Sequence, residues 1–496
     1  MVAISVAEMK ALEEKAINEY GIPSIVLMEN AAMGFVSALK NEYGSLCTKK
    51  ILVVCGKGNN AGDGFAIARL LHFSGCDVSV LPLFDINTLT PDAKVNANAL
   101  KNMGVVFIKD IDTEYDIIID AIFGTGFHGE VDSPVKEIIE KINESKSYIA
   151  SVDVPSGVEL FDGAKNKLCV NSDLCVTFGY AKLHQFTGIN RNSFKKLVVA
   201  PISVPCPESS AKIITKDTFN LIPKRAQDSH KGTFGKVMAI VGSSGMAGAA
   251  ILSGSAVLKS GAGMLTIATN DSIIPTIAHE FPSAMTLPMP SECDTLIEKA
   301  KGMNAVLIGC GLGTDDSTKK FVTEFIKKCD IPMVIDADGL NILSENIDII
   351  KGKNVILTPH IVEFSRLSGV SPYEIKESPV KVLNDFCKDF GVTVILKDSI
   401  TLISHKGENI AVCHAPNSGM ATAGSGDVLA GVVTSFTAQG LSPFDAACCG
   451  VYIHSAAGAL AKENFGEAGM TSSDILSFVP KAFIENVDIA PHIKEL

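Results

Sequence analysis

Tryptophan is absent from this 496-residue chain, tyrosine occurs only 7 times, and no stretch reaches the roughly 18 uninterrupted apolar residues of a membrane-spanning helix. The last absence argues against a membrane protein. The amino terminus, MVAISVAEMKALEEK, has neither the positively charged start nor the apolar run of a secretory leader. Basic charge is also short. Forty-three lysines and arginines stand against 55 aspartates and glutamates, a formal net charge of −12, and no basic stripe is present that would neutralise a phosphate backbone. A nucleic-acid binder is thereby disfavoured, and a phosphorylated ligand must be met locally, by backbone N–H groups, lysines or bound cations. The 13 cysteines are scattered, odd in number and never spaced C-x-x-C, so most are read as small buried hydrophobes rather than staples or metal ligands. Together these features predict a soluble protein of a reducing cytoplasm.

What the chain does have is apolar residues, 47% of the total, and 42 glycines, a composition suited to α/β layers with many tight turns. At roughly 150 residues per domain, the length admits two or three domains. Ser5 followed by Glu8 forms a capping box, and Met9, Leu12, Ala16 and Ile17 continue an apolar helical face that stops at Gly21-Ile22-Pro23. A second helix is expected over 24–40. The pattern then changes to strand, glycine-rich turn and helix: ILVVC (51–55), the loop GKGNNAGDG (56–64) and a helix from Phe65. Further apolar strands follow at DVSVLPL, VVFI, DIIIDAIF, YIASVDV, LCVTF and LVVAPI, and a short acidic helix is expected at 112–115. Strands apolar throughout and separated by helices belong to a mostly parallel sheet covered on both faces, which makes the first domain a Rossmann-like three-layer structure.

Prolines at 201, 205, 207 and 223, with polar residues between them, mark a boundary and give domains over 1–210 and 225–496. From Gly235 the theme restarts, with strands KVMAIV, AVLIG, MVIDAD, NVILTP and TVILK, a polar β segment over 399–414 and three closing helices. The likeness of GKGNNAGDG to GSSGMAGAA is not evidence of duplication, because any doubly wound domain needs glycines after its first strand.

The stretch NSGMATAGSGDVLAG (417–431) carries the most chemistry. Gly424 and Gly426 allow close backbone approach to a ligand, and the helix that follows offers unpaired N–H groups and a positive dipole end, a setting for phosphate. Asp427 in such a loop has two readings of equal weight: an acid or base aimed at a substrate hydroxyl beside a nucleotide phosphate, or a helix N-cap. In the first domain, three strand ends stand out. GKGNNAGDG combines glycines with Asn59, Asn60 and Asp63; Asp120 leads into Gly124-Thr125-Gly126; Asp153 leads into Pro155-Ser156-Gly157. Ligands of open α/β sheets bind at such ends. Side-chain amides there can donate to phosphate or coordinate a cation through oxygen.

In this order and spacing, GxGNNxGDG, D-x-x-x-GTG and VDVPSG resemble the NAD(P)H-hydrate epimerase family over about residues 1–205. The resemblance implies that Asn59, Asn60, Ala61, Gly62 and Asp63 contact the dinucleotide phosphates, and that Gly124, Thr125, Gly126, Phe127, His128, Gly129 and Glu130 line the same cleft. It also implies that Asn60, Asp120 and Ser156 hold a potassium ion and that Asp153 works on the damaged nicotinamide ring. That ring carries a hydroxyl on the carbon next to nitrogen, a hemiaminal centre that can lose and regain configuration when an acid–base group handles the hydroxyl proton. Lys182 in FGYAKLH matches a lysine of the family. Ala61, where glycine is usual, and His184, where a smaller residue is expected, are departures.

The second domain resembles the ADP- or ATP-dependent NAD(P)H-hydrate dehydratases, of ribokinase-like α/β fold, over about 225–490. The resemblance rests on GSSGMAGAA, GCGLG, VIDADGL, LTPHIVEFSRL, Lys397-Asp398 and the 417–431 loop, in which Ser425 replaces the usual threonine. It implies that Gly424 and Gly426 present N–H groups to ADP or ATP, with Lys397, Asp398, Ser399, Ile400 and Thr401 in the nucleotide-binding segment. Ala249, Gly313 and His360 would line the hydrate pocket, and Asp427 would deprotonate the ring hydroxyl so that it takes a phosphoryl group. Mg²⁺ is expected from phosphoryl-transfer chemistry, although no carboxylate pair in the sequence identifies its ligands. His360 and Glu363, at i and i+3, imitate zinc ligands but suit a helix start equally, and Asp336 and Asp338 suit either a ligand contact or a turn. The expected function is thus bifunctional repair of NADHX and NADPHX in the cytoplasm by a homo-oligomer. The alternative is a small-molecule kinase of ribokinase fold with a non-catalytic N-terminal binding module.

Overall fold

Alternate residues of the strand Lys50–Cys55 face two different apolar layers. Ile51, Val53 and Cys55 pack with Phe35, Leu39, Phe65 and Leu71 of the helices on one side, whereas Leu52 and Val54 pack with Ile138, Ile139 and Ile142 of the helix Val135–Glu144 on the other. A strand apolar on both faces is stable only between two layers of helix, because each face must be removed from water. The chain, described by a computed structural model at every residue except 112, 165, 167, 190 and 209, is therefore three-layered where the continuous apolar runs said it would be.

It forms two compact units, Met1–Ala211 with Lys376–Ser378 and Pro491–Leu496, and Lys212–Ile375 with Pro379–Ala490. The first unit holds a parallel sheet in the spatial order Ile493–Glu495, Phe194–Ala200, Ser172–Phe178, Tyr148–Val152, Ile117–Ala121, Lys50–Cys55, Asp77–Pro82, Val106–Phe107. From Lys50–Cys55 the chain first adds strands on one side and then returns to add Ile117–Ala121 on the other. The loops leaving these two neighbours diverge, and a crevice opens at their carboxyl ends.

In the second unit the order is Met285–Pro288, Met264–Thr269, Lys236–Ile240, Ala305–Ile308, Met333–Ile335, Val355–Leu357 and Thr393–Leu396, all parallel, continued by the antiparallel hairpin Thr401–His405 and Asn409–Cys413. Its reversal falls between Lys236–Ile240 and Ala305–Ile308. The helices Ala247–Lys259, Ser425–Ala438, Pro443–Gly469 and Ser472–Glu485 share one apolar cluster with Val237, Ala239, Leu265, Ile267 and Leu307 of the sheet.

Four details differ from the sequence reading. The helix after the first strand begins at Asn59, not Phe65, so NNAGDG forms its first turns and the true loop is only Gly56-Lys57-Gly58. Residues 113–115 are not helical; they lead into Asp116, whose N–H donates to the Lys50 carbonyl and whose carboxylate accepts the Lys50 N–H, both at 2.9 Å, and Asp112 lies outside the described residues. VVFI supplies only the two strand residues Val106–Phe107 at the sheet edge. The last residues, expected to close the second domain, form the strand Ile493–Glu495 in the first unit's sheet, pairing with Leu197–Val199. All 13 cysteines are unpaired, and only Cys47 and Cys206 are exposed. Among the described residues, no helix is long and apolar enough to cross a membrane.

Candidate functional site

The crevice of the first unit is a cleft of about 760 Å³ whose wall includes Asn59, Asn60, Asp63, Gly124, Thr125, Gly126, Phe127, His128 and Asp153. Its two main loops lie so close that a Cβ on Gly56 would meet the Ile122 carbonyl at 2.0 Å, so only glycine fits there. The helix Asn59–Phe73 is capped by Gly58 without any side chain, which leaves its first N–H groups without a side-chain acceptor, an arrangement that suits an anion. Ala61 and Gly62 are buried behind this end; a side chain on Gly62 would strike Met28. Gly129 and Glu130 do not line the cleft. They border a second cavity of about 730 Å³ with Lys136, Glu140, Glu159 and Asn166.

At the base of the cleft, oxygen atoms converge. Asn60 donates through Nδ2 to the Phe123 carbonyl at 2.9 Å, which leaves its own carbonyl oxygen available, and the Ser156 hydroxyl accepts from the Phe123 N–H at 2.9 Å. Asp120 is fully buried and accepts from the Ser151 hydroxyl (2.9 Å), the Ser156 N–H (2.8 Å), the Ser156 hydroxyl and the Ile122 N–H (3.3 Å). Burial pushes its carboxyl up, and the hydrogen bonds oppose this only in part. Every one of these donors is uncharged, so among the described residues the buried negative charge has no cationic partner. A cation held by oxygen donors suits that deficit.

Asp153 occupies the opposite electrostatic situation. Its backbone takes φ +64°, a left-handed conformation uncommon outside glycine, asparagine and aspartate. Its Oδ1 accepts from Lys182 Nζ at 2.7 Å, Thr177 Oγ1 at 2.9 Å and the Phe178 N–H at 3.2 Å. Lys182 is buried, and its ammonium is fully engaged by Asp153, Thr177 and the Phe178 carbonyl. Gln185 holds the Asp153 carbonyl at 3.0 Å. The family lysine thus has a definite place, paired with Asp153, while His184 lies 3.6 Å from Asp162. Glu13, from the helix Val6–Asn18, also lines the cleft and was missed by motif. Its signal lay in the sequence, because Glu13 interrupts the buried helical stripe of Met9 and Ala16.

In the second unit Gly424, at φ +88°, is the N-cap of Ser425–Ala438, and Asp427 is the third helical residue. The N-cap reading of Asp427 is thereby removed. A side chain on Gly424 would press on Leu252 and Ser472, and one on Gly426 would lie 3.2 Å from Lys397 Nζ and 3.7 Å from Asp336 Oδ2. Lys397 donates to Asp336 Oδ1 at 2.9 Å, and Thr358 Oγ1 donates to the same oxygen at 2.7 Å. Burial opposes the charge on Lys397, but Asp336 and Glu363 more than offset it and hold the ammonium above its ordinary range. Asp427 is pushed up to about 6, first by burial and then by Asp336. One ligand atom from each of Cys310, Asp336 and Asp427 lies within 4.8 Å of the others. Here is the carboxylate pair that the sequence did not reveal, because its members are 91 positions apart, at 336 and 427.

The remaining expected residues frame this centre. Asp338 Oδ2 receives the Gly313 N–H at 2.9 Å and so fixes the GCGLG turn, and Gly311 packs against Ala249. His360 caps the helix Ile361–Ser368: its Nδ1 accepts from the Val362 and Glu363 N–H groups, while Glu363 Oε2 accepts the His360 N–H at 2.8 Å. The pair is thus a capping box, with His360 Nε2 3.5 Å from Glu363 Oε1. Lys397 reaches the glycine loop, whereas Asp398, Ser399, Ile400 and Thr401 continue into the hairpin, with Ile400 buried. The Ser425 hydroxyl does not face the loop's ligand side alone; it lies 3.2 Å from Nε2 of buried His454, whose imidazole burial pulls down to about 4.

Residues 237–481 match the protein family described as NAD(P)H-hydrate dehydratase, and residues 24–184 match that described as YjeF-related protein N-terminus. The bifunctional NAD(P)H-hydrate repair enzyme of Moorella thermoacetica is 34% identical over 514 aligned residues, spanning 97% of this chain and 96% of its own. That of Escherichia coli is 30% identical over 477, spanning 94% and 90%. A ribokinase-like superfamily protein from Enterococcus faecalis, known as a crystal structure, superposes on 56% of this chain and 96% of its own with a TM-score of 0.51 at 27% identity.

Proposed function

The chain belongs to the bifunctional NAD(P)H-hydrate repair enzymes, and from that premise we propose that its two units divide the repair between them. The first interconverts the R and S epimers of NADHX and NADPHX; the second uses ADP or ATP to dehydrate the S epimer to NADH or NADPH. The second reaction rests on one observation above others: Asp427, pushed up to about 6, stands one residue beyond Gly426 at a helix N-terminus, beside the Lys397–Asp336 pair.

The glycine N–H groups bind and orient the nucleotide phosphates there, with Lys397 adding positive charge. Asp427 accepts the proton of the ring hydroxyl as that oxygen bonds to the terminal phosphorus and the bond from phosphorus to the departing nucleotide breaks. Phosphate then leaves with the C–O electron pair, the adjacent carbon gives up a proton, and the dihydronicotinamide double bond re-forms. Asp336, beside Lys397 and Asp427, is the carboxylate that would hold Mg²⁺, which would spread the charge of the transferring phosphoryl group, while Asp427 stays available as the base. Ala249, Gly313 and His360 border the substrate side.

In the first unit, the Asn59 helix end takes the pyrophosphate, residues 124–128 lie along the dinucleotide, and Asp153 faces the damaged ring. Asn60, Asp120 and Ser156 would hold K⁺, which compensates the Asp120 charge and fixes both loops. The enzyme acts in the cytoplasm as a homo-oligomer. The test is to supply mixed epimers of NADHX with Mg²⁺, K⁺ and either ADP or ATP, and to follow NADH absorbance with phosphate release. Complete recovery, with one nucleotide consumed per NADH, is expected. Recovery of half, or a stable phosphorylated product, would overturn the epimerase or the dehydratase assignment respectively.

A further inference from the structure

Resting on the epimerase reading of the first cleft, we propose that Glu13 is a catalytic residue of that site, the group that carries the proton between the ring hydroxyl and the ring nitrogen of the hydrated nicotinamide. Three observations place it there. Glu13 lines the same cleft as Asp153 and Asp63, although it comes from the helix Val6–Asn18, far from the glycine-rich loops in sequence. It sits on the helical stripe of Met9 and Ala16, which are buried, so its carboxyl is half-buried where an apolar residue would pack better. Among the described residues no hydrogen bond or ion pair reaches its carboxyl, whereas Glu8 on the same helix caps Ser5 through 2.7 and 2.8 Å bonds.

Asp153 is differently disposed. Three donors, one an ammonium, converge on its Oδ1, so in this proposal Asp153, held by Lys182, positions the ring while Glu13 moves the proton. The charged and titratable groups around Glu13 are Asp153 and Lys182 from the sheet side, Asp63 from the helix Asn59–Phe73 and Glu14 on its own helix. Burial first, then Asp153, pushes Glu13 up to about 6, with Lys182 opposing. Asp63 is raised as well, by burial and then by Asp153 and Glu13. A carboxyl that gains and loses its proton near neutrality is suited to shuttle one.

The steps balance without any co-reactant. The Glu13 carboxylate takes the hydroxyl proton, the oxygen forms C=O, and the ring C–N electron pair withdraws onto nitrogen, which receives the proton from Glu13. Rotation of the freed aldehyde presents its other face. The same steps in reverse close the ring with inverted configuration.

The experiment compares full-length wild type, Glu13→Gln and Glu13→Asp. Purified R epimer is supplied without nucleotide, its conversion to S is followed by chromatography, and the uncatalysed rate is subtracted at each pH. Dehydration of purified S epimer with nucleotide serves as the folding control in the same protein. Wild-type kcat/KM should fall below pH about 6, where Glu13 becomes protonated. Glu13→Gln should epimerise at least about 100-fold more slowly and lose that acidic limb, with dehydration unchanged. Glu13→Asp should keep the limb at reduced rate. A Glu13→Gln enzyme with the wild-type rate, or a slower one that keeps the acidic limb, overturns the role of Glu13 alone. A wild type that does not epimerise overturns the epimerase reading with it.

Discussion

Lys182 Nζ lies 2.7 Å from Asp153 Oδ1, with Lys182 buried and Asp153 held at φ +64°. One partner thus supplies a charge that the other cannot leave unpaired. Lys182→Met should cost about 3 kcal/mol, because it strands the Asp153 carboxylate in a largely desolvated position. Asp153→Asn keeps a residue type that tolerates the left-handed backbone, so it should preserve the fold better while slowing epimerisation. Guanidinium denaturation of both variants, read alongside epimer exchange, checks the order: the methionine variant less stable, both variants slow.

Asp427 should behave as a base whose titration is visible in the rate. Its carboxyl is raised to about 6, and a base acts only when ionised, so dehydration should fall about tenfold for each pH unit below that value. Asp427→Asn should lower the dehydration rate by about 10² to 10⁴ while leaving epimerisation intact. A pH–rate profile of S-epimer dehydration at saturating nucleotide, run on both proteins, decides the point. A wild-type rate that stays flat down to pH 5 would remove Asp427 from the proton transfer.

Much of this architecture was legible because strand runs such as ILVVC and DIIIDA are apolar on both faces, which only a covered parallel sheet explains. That Asn60, Asp120 and Asp153 gather at the carboxyl ends of strands was legible because each stands where such a run meets glycine or hydroxyl residues. What was hidden depends on distance in sequence. The Asp336–Lys397 pair and the Asp336–Asp427 approach join residues from three different strand and helix ends, which no local pattern connects. The strand Ile493–Glu495 is three residues long and carries two charges, so its pairing with Leu197–Val199 leaves no periodic signature. Asn59 was assigned to a loop because asparagine favours turns, yet it is the first helical residue after Gly58, in a segment where Gly56 and Gly62 pack too closely for any side chain.

The glycine loop of the second unit tolerates little. Gly424 is left-handed at φ +88°, and a Cβ there would sit 2.6 Å from Leu252 Cδ1 and 2.7 Å from Ser472 Oγ. Gly424→Ala should therefore destabilise the second unit by about 1 to 3 kcal/mol and raise KM for the nucleotide. Gly426→Ala adds no backbone strain but approaches Lys397 Nζ at 3.2 Å, so it should weaken nucleotide binding with a smaller loss of stability. Thermal melts with and without nucleotide separate the two effects. Equal behaviour of both variants would mean that close ligand approach, not backbone conformation, sets the requirement for glycine.

The Asp120 carboxylate makes a prediction about ions. It is buried, its hydrogen-bond donors are all uncharged, and burial raises its carboxyl, so a bound cation should stabilise the ionised form and the fold together. Anything that binds only the folded state adds about 2.7 kcal/mol when its concentration is a hundred times Kd. Replacing K⁺ by the bulky N-methylglucamine cation at constant ionic strength should lower the melting temperature of the wild type and slow epimerisation, while dehydration of pre-formed S epimer continues. In Asp120→Asn the same exchange should change neither quantity, because the charge that recruits the ion is gone. Acidification should mimic ion removal, since protonating Asp120 cancels its charge. A melting temperature indifferent to K⁺ in the wild type would show that the Ser151 and Ser156 hydrogen bonds alone satisfy Asp120, and the oxygen cluster would then be a structural device rather than an ion site.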